Sequence, residues 1–334
     1  MNRLAMKIVV GAATAGALAL SAATLCASMQ APSGQQNQQP AQNQQPAQNQ
    51  QPAQGQQGQA PAQGQQGSQA AQPGHTAPGG QPVTPPSKQE IDDWNALRQE
   101  AATGLDTDKV VQLATDFEKK YPTSTMLTYV DMFAASAYQS KGDVAKSIEF
   151  GEKSLKLNPD NLMSLIIMAD LLPTPQATKG ADKDKKLSQA ETYANHALDL
   201  VAKMPKQANE TDDQAKKRRD TLSADLHSSL GMVHLQRSAE SLAGPDKDEL
   251  AKAENEYKLA TAIDKPSPQD YFRLGEAYSS DGKIDEAIDA FTKASQFGQG
   301  GPIQPYADQK LEELKKQKAA QAAPAAPAKP PAKP

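Results

Sequence analysis

This sequence of 334 residues predicts an all-α fold of helical hairpins stacked side by side, closed by a polar helix and bracketed by two low-complexity ends. Three observations carry that expectation. Tyr271, Leu274, Gly275 and Tyr278 recur at helical spacing, and beyond a turn at Asp281-Gly282 so do Ala287, Phe291 and Ala294. The second set returns 34 residues earlier as Ala253, Tyr257 and Ala260. No alternating run of β-branched residues is long enough to argue for a sheet.

Taken in order, the first hairpin has Trp94, Leu97 and Ala101 on one helix and Leu113, Phe117 and Tyr121-Pro122 on the next. The second carries Tyr138 and Gly142, then small residues at Ser147, Gly151 and Ser154, and ends at Leu157-Asn158-Pro159. Leu165, Met168 and Ala169 mark the third hairpin's first helix, and Ala190, Ala194 and Ala197 its second. The fourth pairs Leu230-Gly231, flanked by His227 and His234, with the Ala253, Tyr257, Ala260 helix. In the fifth, Ser267-Pro268 supplies an N-cap and first helical residue, with Asp270 near the positive helix end. Gly275 has no side chain, so the following helix can come close, and Phe291 and Tyr278 fill the remaining space. Leu311 to Gln317, preceded by Pro302 and Pro305, reads as a closing helix. Pro173 to Lys186 and Ser241 to Asp248 read as insertions between helices.

The run from Tyr271 to Ala294, Y-x-x-L-G-x-x-Y followed by A-x-x-x-F-x-x-A, resembles the tetratricopeptide repeat, with Tyr where Trp usually opens the pattern. The resemblance covers roughly residues 88 to 301. It implies a right-handed α-solenoid of about five TPR-like hairpins with a C-terminal capping helix, in a domain of residues 88 to 320. It also implies a concave groove lined by the first helix of each hairpin. Carried over residue by residue, the partner-binding groove is Tyr129, Met132 and Ser136, then Asp170, then Asp225, Ser228 and Met232, then Gln269, Phe272 and Glu276. Met163 and Ile166 share the spacing but read equally well as core. Because Tyr271 holds the packing position, Phe272 is expected to face the groove as an apolar anchor. The Lys and Asn residues by which chaperone-binding members grip a terminal carboxylate are missing from these positions.

The chain ends carry different signals. Arg3 and Lys7 precede a modestly apolar stretch, Ile8 to Ala27, with small residues near Ala23 and Ala27, so 1–27 reads as a signal peptide. The alternative is a retained anchor, since the uncharged stretch could just span a bilayer. Cys26 is the single cysteine and permits no intramolecular disulfide; bulky Leu25 before it argues against lipidation. Residues 28–87 form a Gln/Pro/Ala-rich spacer, with Asn-Gln-Gln-Pro-Ala-Gln starting at Asn37, Asn43 and Asn49. It has almost nothing to bury, and as a coil it would span on the order of 40 Å. Residues 321–334 form an Ala/Pro/Lys tail with the same expectation of disorder.

The whole chain carries −4, and between Lys7 and Lys329 it carries −8, which disfavours nucleic acid as a partner. The run Lys216, Lys217, Arg218, Arg219 reads as the solvated face of a helix opened by a Thr211/Gln214 capping box. No phosphate-cradling loop, nucleophile elbow or metal-spaced Cys/His cluster is present, so no catalytic, cofactor-binding or metal residues are assigned. Of the four histidines, His75, His196, His227 and His234, the last two sit at packing positions. The expected function is a non-catalytic scaffold that binds a protein or peptide segment in the bacterial periplasm or cell envelope. The alternative is a membrane-anchored assembly factor with its N-terminal helix retained.

Overall fold

The computed structural model describes residues 85–239 and 244–322. The expectations for 1–27, for the spacer through residue 84 and for the tail beyond 322 lie outside the described residues, as do Cys26, His75 and part of the second insertion.

The described residues form eleven helices and no strand. Five hairpins follow one another: α1 Lys88–Thr103 with α2 Thr107–Lys120, α3 Leu127–Ser140 with α4 Val144–Leu157, α5 Leu162–Leu171 with α6 Lys183–Ala202, α7 Asp212–Ser238 with α8 Lys247–Ala260, and α9 Pro268–Asp281 with α10 Ile284–Phe297. Gln304–Ala322, α11, closes the stack against α10 and runs several residues beyond the expected closing helix at each end. Each second helix also packs on the first helix of the next hairpin. The first helices of successive hairpins touch one another directly. That places α1, α3, α5, α7 and α9 on the inner, concave side of an α-solenoid and the second helices outside.

Local sequence explains where the helices start and stop. Ser87, Asp106, Asp143, Asn161, Thr211, Asp246 and Ser267 each accept a backbone N–H at a helix start. Thr211 and Gln214 form the reciprocal capping box. Gly282 ends α9 at φ 80°, a left-handed value that a Cβ would penalise.

Packing depends on close approach at small residues. A Cβ on Gly275 would lie 2.8 Å from Phe291 Cε1, and one on Gly231 would lie 2.7 Å from Tyr257 Cε1. Tyr257 and Phe291 are both fully buried, and the Tyr257 hydroxyl has no hydrogen-bond partner among the described residues. The second hairpin departs from the Ala-aromatic-Ala pattern because serine serves the same spacing with a hydrogen bond added. Ser147 donates to the Ala135 carbonyl at 2.7 Å, and Ser154 to the Thr128 carbonyl at 2.7 Å. Gly151 lets Met168 of the next hairpin close in, since a Cβ there would stand 2.5 Å from its Sδ. Ala190, Ala194 and Ala197 are fully buried in the core shared by α4, α5, α6 and α7.

The basic run is less uniform than a solvated face. Arg218 folds back onto Glu210 through Nε and Nη2 at 2.8 and 2.7 Å, its side chain only 11% exposed. The first insertion also packs, with Pro173 and Ala177 buried and Lys186 donating to the Ala177 carbonyl.

Gly→Ala in an exposed helix normally stabilises by about 1 kcal/mol. At Gly275 the sign should invert. Gly275→Ala should destabilise by about 1–3 kcal/mol because the methyl meets the Phe291 ring. Urea unfolding checks this, and a midpoint equal to or above that of the parent would contradict the packing account.

Candidate functional site

The inner face is built from one side of each first helix. On α3, Ser136 and Gln139 lie along it, and Gln139 Nε2 donates to Asp170 of α5 at 3.0 Å. On α7, Asp225 and Ser228 lie three residues apart. Asp270, Arg273 and Glu276 repeat that step along α9. Ser228 donates to Asp270, and Arg273 Nη1 donates to Ser228 at 3.1 Å. Side chains from α5, α7 and α9 are thus drawn into one polar cluster, which requires the curvature that brings three successive inner helices together.

The electrostatics of the cluster follow from its place on a concave floor. Asp225 is half-buried by surface but ringed by protein, and its carboxylate has no hydrogen bond or ion pair among the described residues. Burial pushes it up to about 7, with Asp270 and Asp170 adding like-charge repulsion. Burial also raises Asp170 and Asp270, opposed by the Arg273 guanidinium and by their donors Gln139 and Ser228. Glu276 is raised by burial against the pull of Arg273 and Lys310. Arg273, 8% exposed, therefore opposes the rise of three carboxyl groups, Asp170, Asp270 and Glu276, with no direct ion pair to any of them among the described residues. Another raised carboxyl, Asp131 at about 7, belongs to a separate site, with burial and the neighbouring Glu118 pushing it up.

The expected groove residues fall into three sets. Asp170, Asp225, Ser228 and Glu276 come together in the cluster. Tyr129, Ser136 and Gln269 are half-buried, and Tyr129 leans on Trp94 with ring centroids 6.0 Å apart. Met132, Met163, Ile166 and Met232 are core, each less than a tenth exposed. Phe272 corrects the sharpest expectation. It is 9% exposed and meets Phe291 edge-on at 5.2 Å, in the cluster with Ala307, Leu311 and Leu314 of α11. Tyr271 meanwhile stacks on Phe297 at 5.3 Å. Adjacent residues can both pack here, Phe272 buried and Tyr271 half-buried, because α9 meets protein on more than one side.

Arg273 and Gln139 are absent from the expected set, and the sequence marks Asp270 only as a helix-end charge. The i, i+3, i+6 spacing of Asp270, Arg273 and Glu276 is the signal that could have found them. The histidines are paired: His227 Nδ1 lies 2.7 Å from Glu256, His234 Nδ1 2.7 Å from Glu249, and His196 Nε2 2.8 Å from Asp160. Among the described residues no group of three metal-ligating side chains converges, and no helix is long and apolar enough to cross a membrane.

The raised value of Asp225 is a stability statement. The folded chain holds its proton up to about pH 7, whereas an unfolded aspartate releases it near 3.8. Its favourable contribution is therefore complete at low pH and lost as pH rises through about 7. Asp225→Asn should raise the melting temperature at pH 8 by about 2–8 °C and change it little at pH 4. Melting curves at the two pH values check this; a gain of equal size at both would show that charge is not the cause.

A family model described as tetratricopeptide repeat matches residues 132–161 and 271–296. These segments fall on the α3–α4 and α9–α10 hairpins. No curated protein matches the chain. Among solved structures, the chain is similar to TTC0263, a thermophilic TPR protein in Thermus thermophilus, at 20% identity and a TM-score of 0.41, covering 69% of this chain and 97% of that one. It is also similar to a MamA RS-1 ArsTM double mutant, at 13% identity and a TM-score of 0.42, covering 63% and 95%. The repeat matches lie on hairpins whose helices, turn and core positions follow the same pattern, and the chain carries tetratricopeptide repeats at these two hairpins.

Proposed function

We propose that this chain is a non-catalytic scaffold of the bacterial periplasm or cell envelope, and that its concave face holds a lysine- or arginine-bearing segment of a protein partner. Tetratricopeptide repeats make a protein-interaction scaffold the starting point. The observation that carries the finer reading is Asp225, a carboxylate unpaired among the described residues, on the inner face between Asp170 and Asp270. A cation entering there relieves the repulsion among the three and supplies the partner that Asp225 lacks. Arg273 is held back by Ser228 and leaves the carboxylates in excess. The export reading rests on Arg3, Lys7 and the apolar stretch that follows them.

Binding of a cation to a raised carboxylate expels its proton, so capture should strengthen between pH 6 and pH 8. Two variants separate the inner face from the outer surface. Asp170→Asn with Asp225→Asn should weaken capture of a partner from envelope extract about tenfold, roughly 1.4 kcal/mol. Lys216→Gln with Lys217→Gln, both exposed on the outer basic run, should leave it within about twofold. Loss in the second pair with retention in the first would move the site off the concave face. Mass spectrometry of the same purified protein should find its first residue near Thr24 or Ser28. An intact Met1 would instead support the retained anchor, and a lipid on Cys26 would also overturn cleavage.

A further inference from the structure

A second surface lies on the opposite side of the solenoid. The outer helices α8 and α10 flank an open cleft of about 540 Å³ whose floor is Tyr271, Leu274 and Tyr278 of α9. One rim carries Asp285, Glu286 and Asp289 from the first turns of α10. The tyrosine ring faces already attract cations: Lys258 Nζ stands 5.5 Å from the Tyr278 centroid and Lys293 Nζ 5.8 Å from that of Tyr271. Asp289 is paired with Lys293 at 2.9 Å, whereas the exposed Glu286 carboxylate has no partner among the described residues.

We propose that this outer cleft is the docking site of the chain's own proline-rich C-terminal segment, Ala323 to Pro334. The first argument is where that segment begins. The closing helix α11 runs antiparallel to α10. Ser295 donates to Asp308 at one end of the pair, and Lys318 pairs with Asp285 at the other. Asp285 is itself part of the cleft rim. Ala322 follows Lys318 by one helical turn, an advance of about 6 Å, so the segment starts beside the cleft.

Length and chemistry agree. Twelve residues in polyproline II extension reach about 37 Å, and the rim from Asp285 to Lys293 measures about 12 Å along its helix. The segment reads Ala-Pro-Ala-Ala-Pro-Ala-Lys-Pro-Pro-Ala-Lys-Pro, a composition that favours that extension. Aromatic-floored grooves take such segments by packing proline rings against the aromatic faces. Every charged residue after Glu313 is a lysine, which complements Glu286, the rim carboxylate left over once Asp285 pairs with Lys318 and Asp289 with Lys293. Prolines on Tyr271 and Tyr278, with Lys329 or Lys333 at Glu286, satisfy both features of the cleft.

Binding of a fluorescent peptide of residues 321–334, followed by anisotropy, tests the assignment on the full chain and on a chain ending at Ala322, which retains all eleven helices. The peptide should bind the shortened chain and bind the full chain at least about tenfold more weakly, because a tethered segment competes at an effective concentration in the millimolar range. Glu286→Lys in the shortened chain should weaken binding several-fold with helicity unchanged, and Tyr278→Ala should abolish it. Equal binding to both chains, no binding to the shortened chain, or indifference to Glu286→Lys would overturn the proposal. A full chain that sediments as a dimer and becomes monomeric on removal of 323–334 would assign the cleft to a neighbour's tail and overturn docking within one chain.

Discussion

The structure depends on how closely each hairpin's helices can approach. Gly231 under Tyr257 and Gly275 under Phe291 set that distance, and an added methyl at either glycine would collide with the aromatic ring. Ser147 and Ser154 do the same for the second hairpin, using backbone carbonyls of α3 as acceptors. Alanines do so in the third. Because dispersion falls off steeply with separation, a small widening at one such point removes contacts along the whole helix pair. From hairpin to hairpin the distance is kept while the residues that achieve it vary.

Curvature follows from that distance, and the inner face follows from the curvature. First helices that touch one another bring residues from three successive hairpins into one cluster. On a flatter stack Asp170, Asp225 and Asp270 would lie on separate helices in open water, each near its ordinary carboxylate range. Here burial raises all three, like-charge repulsion adds to Asp225 and Asp270, and a single guanidinium, hydrogen-bonded to Ser228, opposes the rise of Asp170 and Asp270. The cationic partner proposed above would relieve that repulsion. The polar inner cluster and the aromatic outer cleft have separate chemistries on the two sides of α9. Asp270, Arg273 and Glu276 face inward, while Tyr271, Leu274 and Tyr278 floor the cleft.

The helical hairpins, the glycine–aromatic pairings and the Thr211/Gln214 capping box are legible in the sequence because they are local, and spacing alone exposes them. What spacing does not contain is the number of sides on which each helix is covered. Phe272 looks free in the sequence because Tyr271 already packs, yet α10 and α11 bury it as well. Met132 and Met232 are core for the same reason. Arg273 is inconspicuous because its significance lies in residues contributed by α5 and α7, distant in sequence and joined only by curvature. The basic run illustrates the reverse: four adjacent cations suggest a solvated face, but Arg218 turns its charge onto Glu210 within the same connection.

Site-specific photo-crosslinking in living cells tests the central claim most directly. A photoreactive residue at inner positions Ser136 or Gln269 samples the groove, and one at outer positions Glu152 or Lys252 samples the second helices. The account predicts a discrete partner adduct from the inner positions that diminishes with Asp225→Asn, and none from the outer pair. Adducts confined to Glu152 or Lys252 would contradict it.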